Sequence, residues 1–268
     1  MKLQVLVDNN TFIDSYYYGE PAVSYYIEMD DKRILFDTGY SDVMIKNAHL
    51  MGIELSKITH IVLSHGHNDH SRGLKYLSKS IDLANVKLIA HPHCFFPKQI
   101  DGEDIGAPYN EDDIAKILCY QPQITPLYIT DNCCFLGQIP RVTDFESKHP
   151  IGTITCKGQE IDDFLYDDTA LVCNTSKGLF IITGCSHSGI CNIIDYAKKQ
   201  YKNTEIAGVI GGFHLLEVNK QLSETVDYLK KQEIKKMYPC HCVSLHAKAK
   251  LIKEFNVEEV GVGLTIEL

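Results

Sequence analysis

Apolar and polar positions along the chain follow two periods that take turns. Strand-like runs fall at residues 3–7, 22–29 and 33–37, with Asp30-Asp31 between the last two as a hairpin turn. Residues 41–51 then place Val43, Ile45, Ala48 and Leu50 at helical spacing, with Ser41 as the expected N-cap. The apolar run Ile58, Ile61, Val62, Leu63 reads as a buried strand, and residues 69–79 as a helix capped by Asp69. A short apolar strand follows at 86–90. The pattern lapses over residues 94–126, where Pro97, Gly102, Gly106 and Pro108 leave room for one short helix near 112–118. That stretch reads as a cap or insertion over a site.

Regular patterning then resumes. Residues 169–174 and 178–183 read as a hairpin turning through Ser176 to Gly178, followed by an amphipathic helix on Ile190, Ile193, Ile194 and Ala197. A strand at 206–212, helices at 222–231 and 247–255, and a last strand at 263–268 complete the chain. Both halves thus alternate strands with helices, which predicts an α/β (α+β) class with two sheets face to face and helices outside. No linker divides residues 1–268, so a single domain is expected.

Chemistry concentrates where strands run out. His65, His67, Asp69 and His70 follow the buried strand directly, and residues two apart in an extended chain point the same way. Imidazole and carboxylate are the ligands zinc takes, and iron and manganese accept the same set. A second loaded turn, Gly184-Cys185-Ser186-His187-Ser188-Gly189, follows the later hairpin; His214 and His241 also sit at strand ends. Asp37 ends the third strand. His91 and His93 flank a proline with no carboxylate nearby and read as wall or structure. Arg141 and Glu146 read either as holders of a substrate or partner loop or as a surface ion pair. Asp162, Asp163, Asp167 and Asp168 either cap turns or line a pocket.

His65-x-His67-x-Asp69-His70, between a strand and a helix, resembles the signature of the metallo-β-lactamase-fold hydrolases. The resemblance implies an αββα sandwich whose outer faces carry helices. It implies that His65, His67 and His187 hold one ion and that Asp69, His70 and His241 hold a second, with Asp37 bracing the ligand loop. Many members place a bridging Asp where this chain has Gly184-Cys185, so Cys185 could be a thiolate ligand or a buried thiol. His214 is left over as a structural residue, substrate contact, general acid or ligand.

Ile-Pro-Arg141-Val-Thr-Asp-Phe-Glu146, Thr-Gly-Cys185-Ser-His187-Ser-Gly-Ile, Gly-Gly-Phe-His214-Leu, Pro-Cys-His241-Cys and the terminal Gly-Val-Gly resemble one branch of that fold over almost the whole chain. Its members are called dihydropteroate-synthase-like, or dihydropterin-ribofuranosylaminobenzene-phosphate-synthase-like, metallo-hydrolases. The implied activity is hydrolysis by a bridging hydroxide, since two divalent ions lower the pKa of a shared water from about 15.7 towards 7. The implied target is a phosphoester of a pterin-type or nucleotide-like small molecule, with Asp69 and His214 as catalytic residues and Arg141 and His214 holding substrate. Two divalent ions, zinc first and iron or manganese next, are the expected cofactors. A di-iron redox protein and a metal-binding sensor without turnover are the alternatives.

Composition narrows the partners. A net charge of −9 without a lysine-rich block argues against a nucleic-acid surface. No run approaches the ~18 apolar residues of a membrane helix, and the start of the chain is too short and too soon acidic for a signal peptide. Ten cysteines in a chain of 268 residues with no export signal point to reduced thiols in a cytoplasm rather than a disulfide framework. Most read as small buried hydrophobes; Cys185 and Cys240 stand apart because of their neighbours.

Overall fold

The structure is a computed structural model that describes residues 1–146, 148–202 and 205–268. It divides into two compact units. The first comprises Met1–Ile124, His149–Asp167 and Gly261–Glu267; the second comprises Thr125–Lys148, Asp168–Val260 and Leu268.

The first unit is built on a seven-stranded sheet in the spatial order Thr265–Glu267, Lys2–Val7, Ser24–Met29, Lys32–Phe36, His60–Val62, Lys87–Ala90, Cys119–Pro122. The strands up to Lys32–Phe36 pair antiparallel, and from there on the pairing is parallel. Parallel strands leave a sheet at one edge, so Asp37, Ser64 and His91 start from that edge; open α/β sheets bind ligands there. The helices Val43–Leu50 and Leu74–Ser80 press Met44, Ala48, Leu74 and Leu77 onto Leu35, Ile61, Leu63 and Leu88. A smaller sheet of Gln159–Asp162, Thr153–Cys156, Lys98–Ile100 and Glu103–Asp104 belongs to the same unit.

The second unit carries a six-stranded sheet ordered Met237–Pro239, Ile206–Gly211, Gly178–Thr183, Ala170–Thr175, Cys133–Phe135, Leu127–Thr130. Its first three strands are mutually parallel. Their C-terminal ends therefore deliver Gly184-Cys185, Gly212 to His214, and Cys240 to Cys242 to one edge. Helices Ile190–Lys198, Lys220–Lys230 and Leu245–Glu254 bury Ile193, Ile194, Leu222, Val226, Ala247 and Leu251 against Val172, Ile181 and Val209. Truncating one of these isoleucines to alanine costs about 2–5 kcal/mol, the usual transfer and cavity terms together.

Most strands and the later helices lie where the pattern puts them. Three local readings change. Asp42, not Ser41, occupies the N-cap of the first helix, and Ser41 Oγ instead accepts the Val43 N–H at 3.2 Å. The expected helix over 69–79 is two pieces, Asn68–Ser71 and Leu74–Ser80. Gly73 lies between them because the Thr38 carbonyl oxygen fills the place a Cβ would take. Residues 94–126 are not one irregular loop either. They hold two strands of the small sheet, a short helix at Glu111–Ile114 and the edge strand Cys119–Pro122 of the large one.

Candidate functional site

In the first unit, the short strand His60–Val62 delivers Ser64, His65 and His67 before the chain turns into Asn68–Ser71. His67 takes the N-cap position expected for Asp69, which moves Asp69 into the first turn beside His70. The rings of His65 and His67 lie 4.6 Å apart and those of His65 and His70 4.2 Å apart. Two ring nitrogens, His65 Nε2 and His67 Nδ1, face each other at 3.1 Å.

Asp37 organises this group from below. Its φ of 56° turns the carboxylate back under the loop. Oδ1 accepts the Ser64 N–H at 2.7 Å, and Oδ2 accepts the Ser64 hydroxyl and His70 Nδ1, each at 2.7 Å. Ser64 Oγ in turn sits 3.0 Å from His65 Nδ1. With Nδ1 held in both rings, each Nε2 turns towards the other donors of the cluster, His65 Nε2 to His67 Nδ1 at 3.1 Å and His70 Nε2 to Asp69 Oδ2 at 3.4 Å, the arrangement in which a carboxylate orients a metal-binding imidazole. Burial opposes the charge on His70, but Asp69 and Asp37 outweigh it and raise its pKa well above the ordinary value. Burial alone dominates at His67 and pushes its pKa down to about 4, so the ring is neutral at pH 7, the form in which imidazole binds a cation.

A brace that sequence reasoning missed holds the loop between the two histidines. Asp167 Oδ2 accepts the Gly66 N–H at 2.8 Å, while its Oδ1 pairs with Lys98 Nζ at 3.2 Å. Lys98, 1% exposed, also pairs with Asp163 at 2.6 Å. Burial would raise the Asp167 pKa; Lys98 and the Gly66 N–H overcome that and hold it at about 2. Residue 66 must be glycine, since the Cys94 carbonyl oxygen occupies the space of a Cβ. The acid-rich 162–168 segment was the available signal, but nothing in the sequence joins it to Lys98.

In the second unit, donors from three turns come together. A ligand atom of Cys185 lies within 4.8 Å of one on His187 and within 4.8 Å of one on His241. The rings of His187 and His214 lie 4.5 Å apart. Ser186, His214 and His241 all adopt left-handed backbone, at φ 59°, 47° and 52°. Non-glycine residues held there cost of order 1–3 kcal/mol each and cluster at functional sites.

A second thiol beside this group belongs to Cys242. Its Sγ accepts the His214 backbone N–H at 3.3 Å and lies 3.6 Å from the Cys185 carbonyl oxygen, whereas Cys240 is fully buried. Burial would raise the Cys242 pKa, but hydrogen bonds from Cys185 and His214 and the nearby imidazoles bring it well below that of an ordinary thiol. His214 is half-buried; desolvation would lower its pKa, yet Cys242 and Asp168 raise it. Asp168 grips the turn itself. Its Oδ2 accepts the Ser188 N–H at 2.9 Å and the Ser188 hydroxyl, and burial lifts its pKa to about 6.

Glu146 is not half of a surface ion pair. It is buried and accepts the N–H groups of Cys191 and Asn192 at 2.8 and 3.0 Å, capping the helix that follows His187. Gly189, at φ 96°, makes room for that carboxylate. Arg141 is partly buried and its charge acts on Asp168. His91 serves its own turn, with Nδ1 accepting the His93 N–H at 3.1 Å. All ten cysteines are free thiols. Buried imidazoles, thiols and a carboxylate, fixed by other side chains, are a donor set that suits borderline divalent cations.

Comparisons with known proteins agree with this chemistry. Residues 17–108 match the metallo-beta-lactamase superfamily. An uncharacterised protein of Methanocaldococcus jannaschii is 36% identical over 98% of this chain and 99% of its own length. From the same organism, 7,8-dihydropterin-6-methyl-4-(beta-D-ribofuranosyl)-aminobenzene-5'-phosphate synthase is 30% identical over 100% of this chain and 96% of its own. A solved structure described as a metal-dependent hydrolase of the beta-lactamase superfamily superposes with a TM-score of 0.85 at 29% identity, covering 100% of this chain and 99% of that one. Among the described residues no helix is long and apolar enough to cross a membrane.

Proposed function

Because the chain belongs to the metallo-beta-lactamase superfamily, in the branch that holds the dihydropterin-ribofuranosylaminobenzene-phosphate synthase, we propose that it is a dinuclear metal hydrolase acting on a phosphoester. One observation carries the reading: three buried imidazoles of the first unit, His65, His67 and His70, stand ring against ring while Asp37 and Ser64 occupy the Nδ1 atoms of two of them. In this reading His65, His67 and His187 hold one ion; Asp69, His70 and His241 hold the other. Cys185 is a further donor, and zinc is the first choice of metal, ahead of iron and manganese.

When bound, such ions supply Lewis-acid activation of water and of the scissile bond. The chain's own residues do the rest. Asp37, Ser64 and Asp167 fix the ligand loop so that little reorganises during reaction. His214, whose pKa Cys242 and Asp168 raise, is in this reading the acid that hands a proton to the leaving oxygen. Arg141 offers a forked donor for a substrate oxyanion. Residues 94–126 select the substrate, a phosphorylated pterin-type or nucleotide-like small molecule.

The test loads the protein with zinc or manganese and assays p-nitrophenyl phosphate, bis(p-nitrophenyl) phosphate and p-nitrophenyl acetate beside elemental analysis. Two metal equivalents per chain and chelator-sensitive phosphoester turnover are expected. Iron with a visible charge-transfer band and no turnover transfers the proposal to a redox role; a loaded protein inert to the whole panel transfers it to a sensor. His214→Ala should keep its metal and lose rate, and loss of one metal equivalent would place His214 among the ligands instead. Full-length similarity to a synthase favours one second reading, in which the same site joins a dihydropterin to a phosphoribosyl aminobenzene. Product formation from that pair of compounds by a protein inert to phosphoesters would establish it.

A further inference from the structure

Arg72 directly follows the His70-Ser71 end of the ligand turn, and its guanidinium carbon stands 4.4 Å above the centre of the Tyr40 ring. The arginine is partly buried, and Tyr40 is 39% exposed. Neither position takes part in the ligand set above. Among the described residues Arg72 has no carboxylate within ion-pair distance. A half-buried guanidinium held on an aromatic face without a counter-ion is unusual, because removing it from water is offset only by the ring.

The backbone explains how it is held. Thr38 N–H and Thr38 Oγ donate to the His70 carbonyl at 2.7 and 3.1 Å, and Gly73 N–H donates to the Gly39 carbonyl at 2.9 Å. This lacing ties the 37–40 segment to the 69–73 turn on both sides of Arg72. The Arg72 N–H completes a helical bond to the Asn68 carbonyl at 2.9 Å, so Asp69 and Arg72 stand three apart on one helical turn and share a face. The same frame that presents Asp69 therefore presents the guanidinium beside it.

The nearby carboxylates are already engaged: Asp69 Oδ2 pairs with His70 Nε2 at 3.4 Å, and Glu20 serves the 40–41 turn. Glu20 Oε1 accepts the N–H groups of Tyr40 and Ser41 at 2.9 and 3.1 Å, and its Oε2 accepts the Ser41 hydroxyl at 2.5 Å. One face of the guanidinium meets the ring, and its N–H edge is left for a planar or tetrahedral oxyanion, which arginine binds as a fork.

The geometry points to Arg72, braced on Tyr40, as an oxyanion subsite of the first unit that takes a non-bridging oxygen of an organic phosphate. The inference rests on the phosphoester reading for the identity of that oxyanion. Its test uses inorganic phosphate as the probe, titrated calorimetrically into metal-loaded protein, with metal content measured for every variant. Arg72→Met should weaken phosphate binding by about 10- to 100-fold, the loss of a charge-assisted hydrogen-bonded pair, at unchanged metal content. Arg72→Lys should recover only part, because an ammonium lacks the fork. Tyr40→Phe should bind as the wild type does, and Tyr40→Ala should fall between wild type and Arg72→Met.

Equal phosphate affinity in wild type and Arg72→Met overturns the subsite, whatever the protein hydrolyses. A wild type inert to every phosphoester, whose phosphate affinity nonetheless falls in Arg72→Met, overturns the hydrolase reading and leaves the subsite standing.

Discussion

Two ligand turns, one in each unit, do similar work with different means. The turn at His65 to His70 packs its donors into six consecutive positions and orients them with carboxylates: Asp37 under the rings, Asp167 on the Gly66 N–H. The turn at Cys185 to Ser188 gathers donors from three separate strand ends and orients them through left-handed backbone and the Cys242 thiol. Each turn also has one buried aspartate gripping a backbone N–H, and these two are neighbours in sequence. Asp167 is neutralised by Lys98 and its pKa falls to about 2; Asp168 has no lysine and rises to about 6. A shared grip on a backbone N–H with unequal charge compensation means that the two clamps fail under opposite conditions.

The contrast breaks most completely if the contiguous donors are removed. His67→Ala and Asp69→Ala should each reduce turnover to background and lower bound metal while circular dichroism stays native. Wild-type metal content and turnover in either variant would remove the first turn from the centre altogether. Next in size is the buried ion triad. Lys98→Met leaves Asp163 and Asp167 as uncompensated buried charges, and breaking a buried pair in this way costs about 3–5 kcal/mol. A denaturant titration should show that loss at pH 7. An unchanged midpoint would mean that Lys98 does not hold the clamp's charge. The loss should shrink on acidification through about pH 4, the ordinary carboxylate range, as the uncompensated acids take up protons.

How far each turn could be read in advance follows from the same contrast. His65, His67, Asp69 and His70 are legible because one strand carries them all and their spacing maps directly onto a face. Asp37 is legible as a strand-end carboxylate. His187, His214 and His241 can be found as strand-end residues. Which cysteine of Cys240-His241-Cys242 faces them cannot, because it depends on the left-handed φ of His241, for which no residue pattern codes. Lys98 and Asp167 are 69 residues apart and meet only through the small sheet, so a lysine in a polar stretch gives no sign of being buried. Asp69 yields the N-cap to His67 because the cap lies two residues earlier than the pattern suggests. Strands and helices with an apolar face were therefore readable, whereas charges buried by topology were not.

The smallest of the expected effects sharpens the comparison most, because it turns on the sign of a pH dependence. A carboxyl group whose pKa rises on folding, from 3.8 to about 6 at Asp168, binds its proton more tightly in the native state. Its contribution is then complete below about pH 4 and is lost as pH climbs through 6; at pH 7 the buried charge opposes folding. Asp167 has the reverse sign, contributing above about pH 4 and losing that contribution as pH falls towards 2. Asp168→Asn keeps an oxygen to accept from Ser188 but carries no charge. It should therefore raise stability at pH 7 by about 1–3 kcal/mol relative to wild type, with the difference fading towards pH 4. Asp167→Asn should lose stability at pH 7 instead, since it leaves Lys98 half-compensated. Chemical denaturation of metal-free protein at pH 4 and pH 7 measures both. A variant pair that shifts in the same direction at pH 7 would show that compensation by Lys98 is not what separates the two turns.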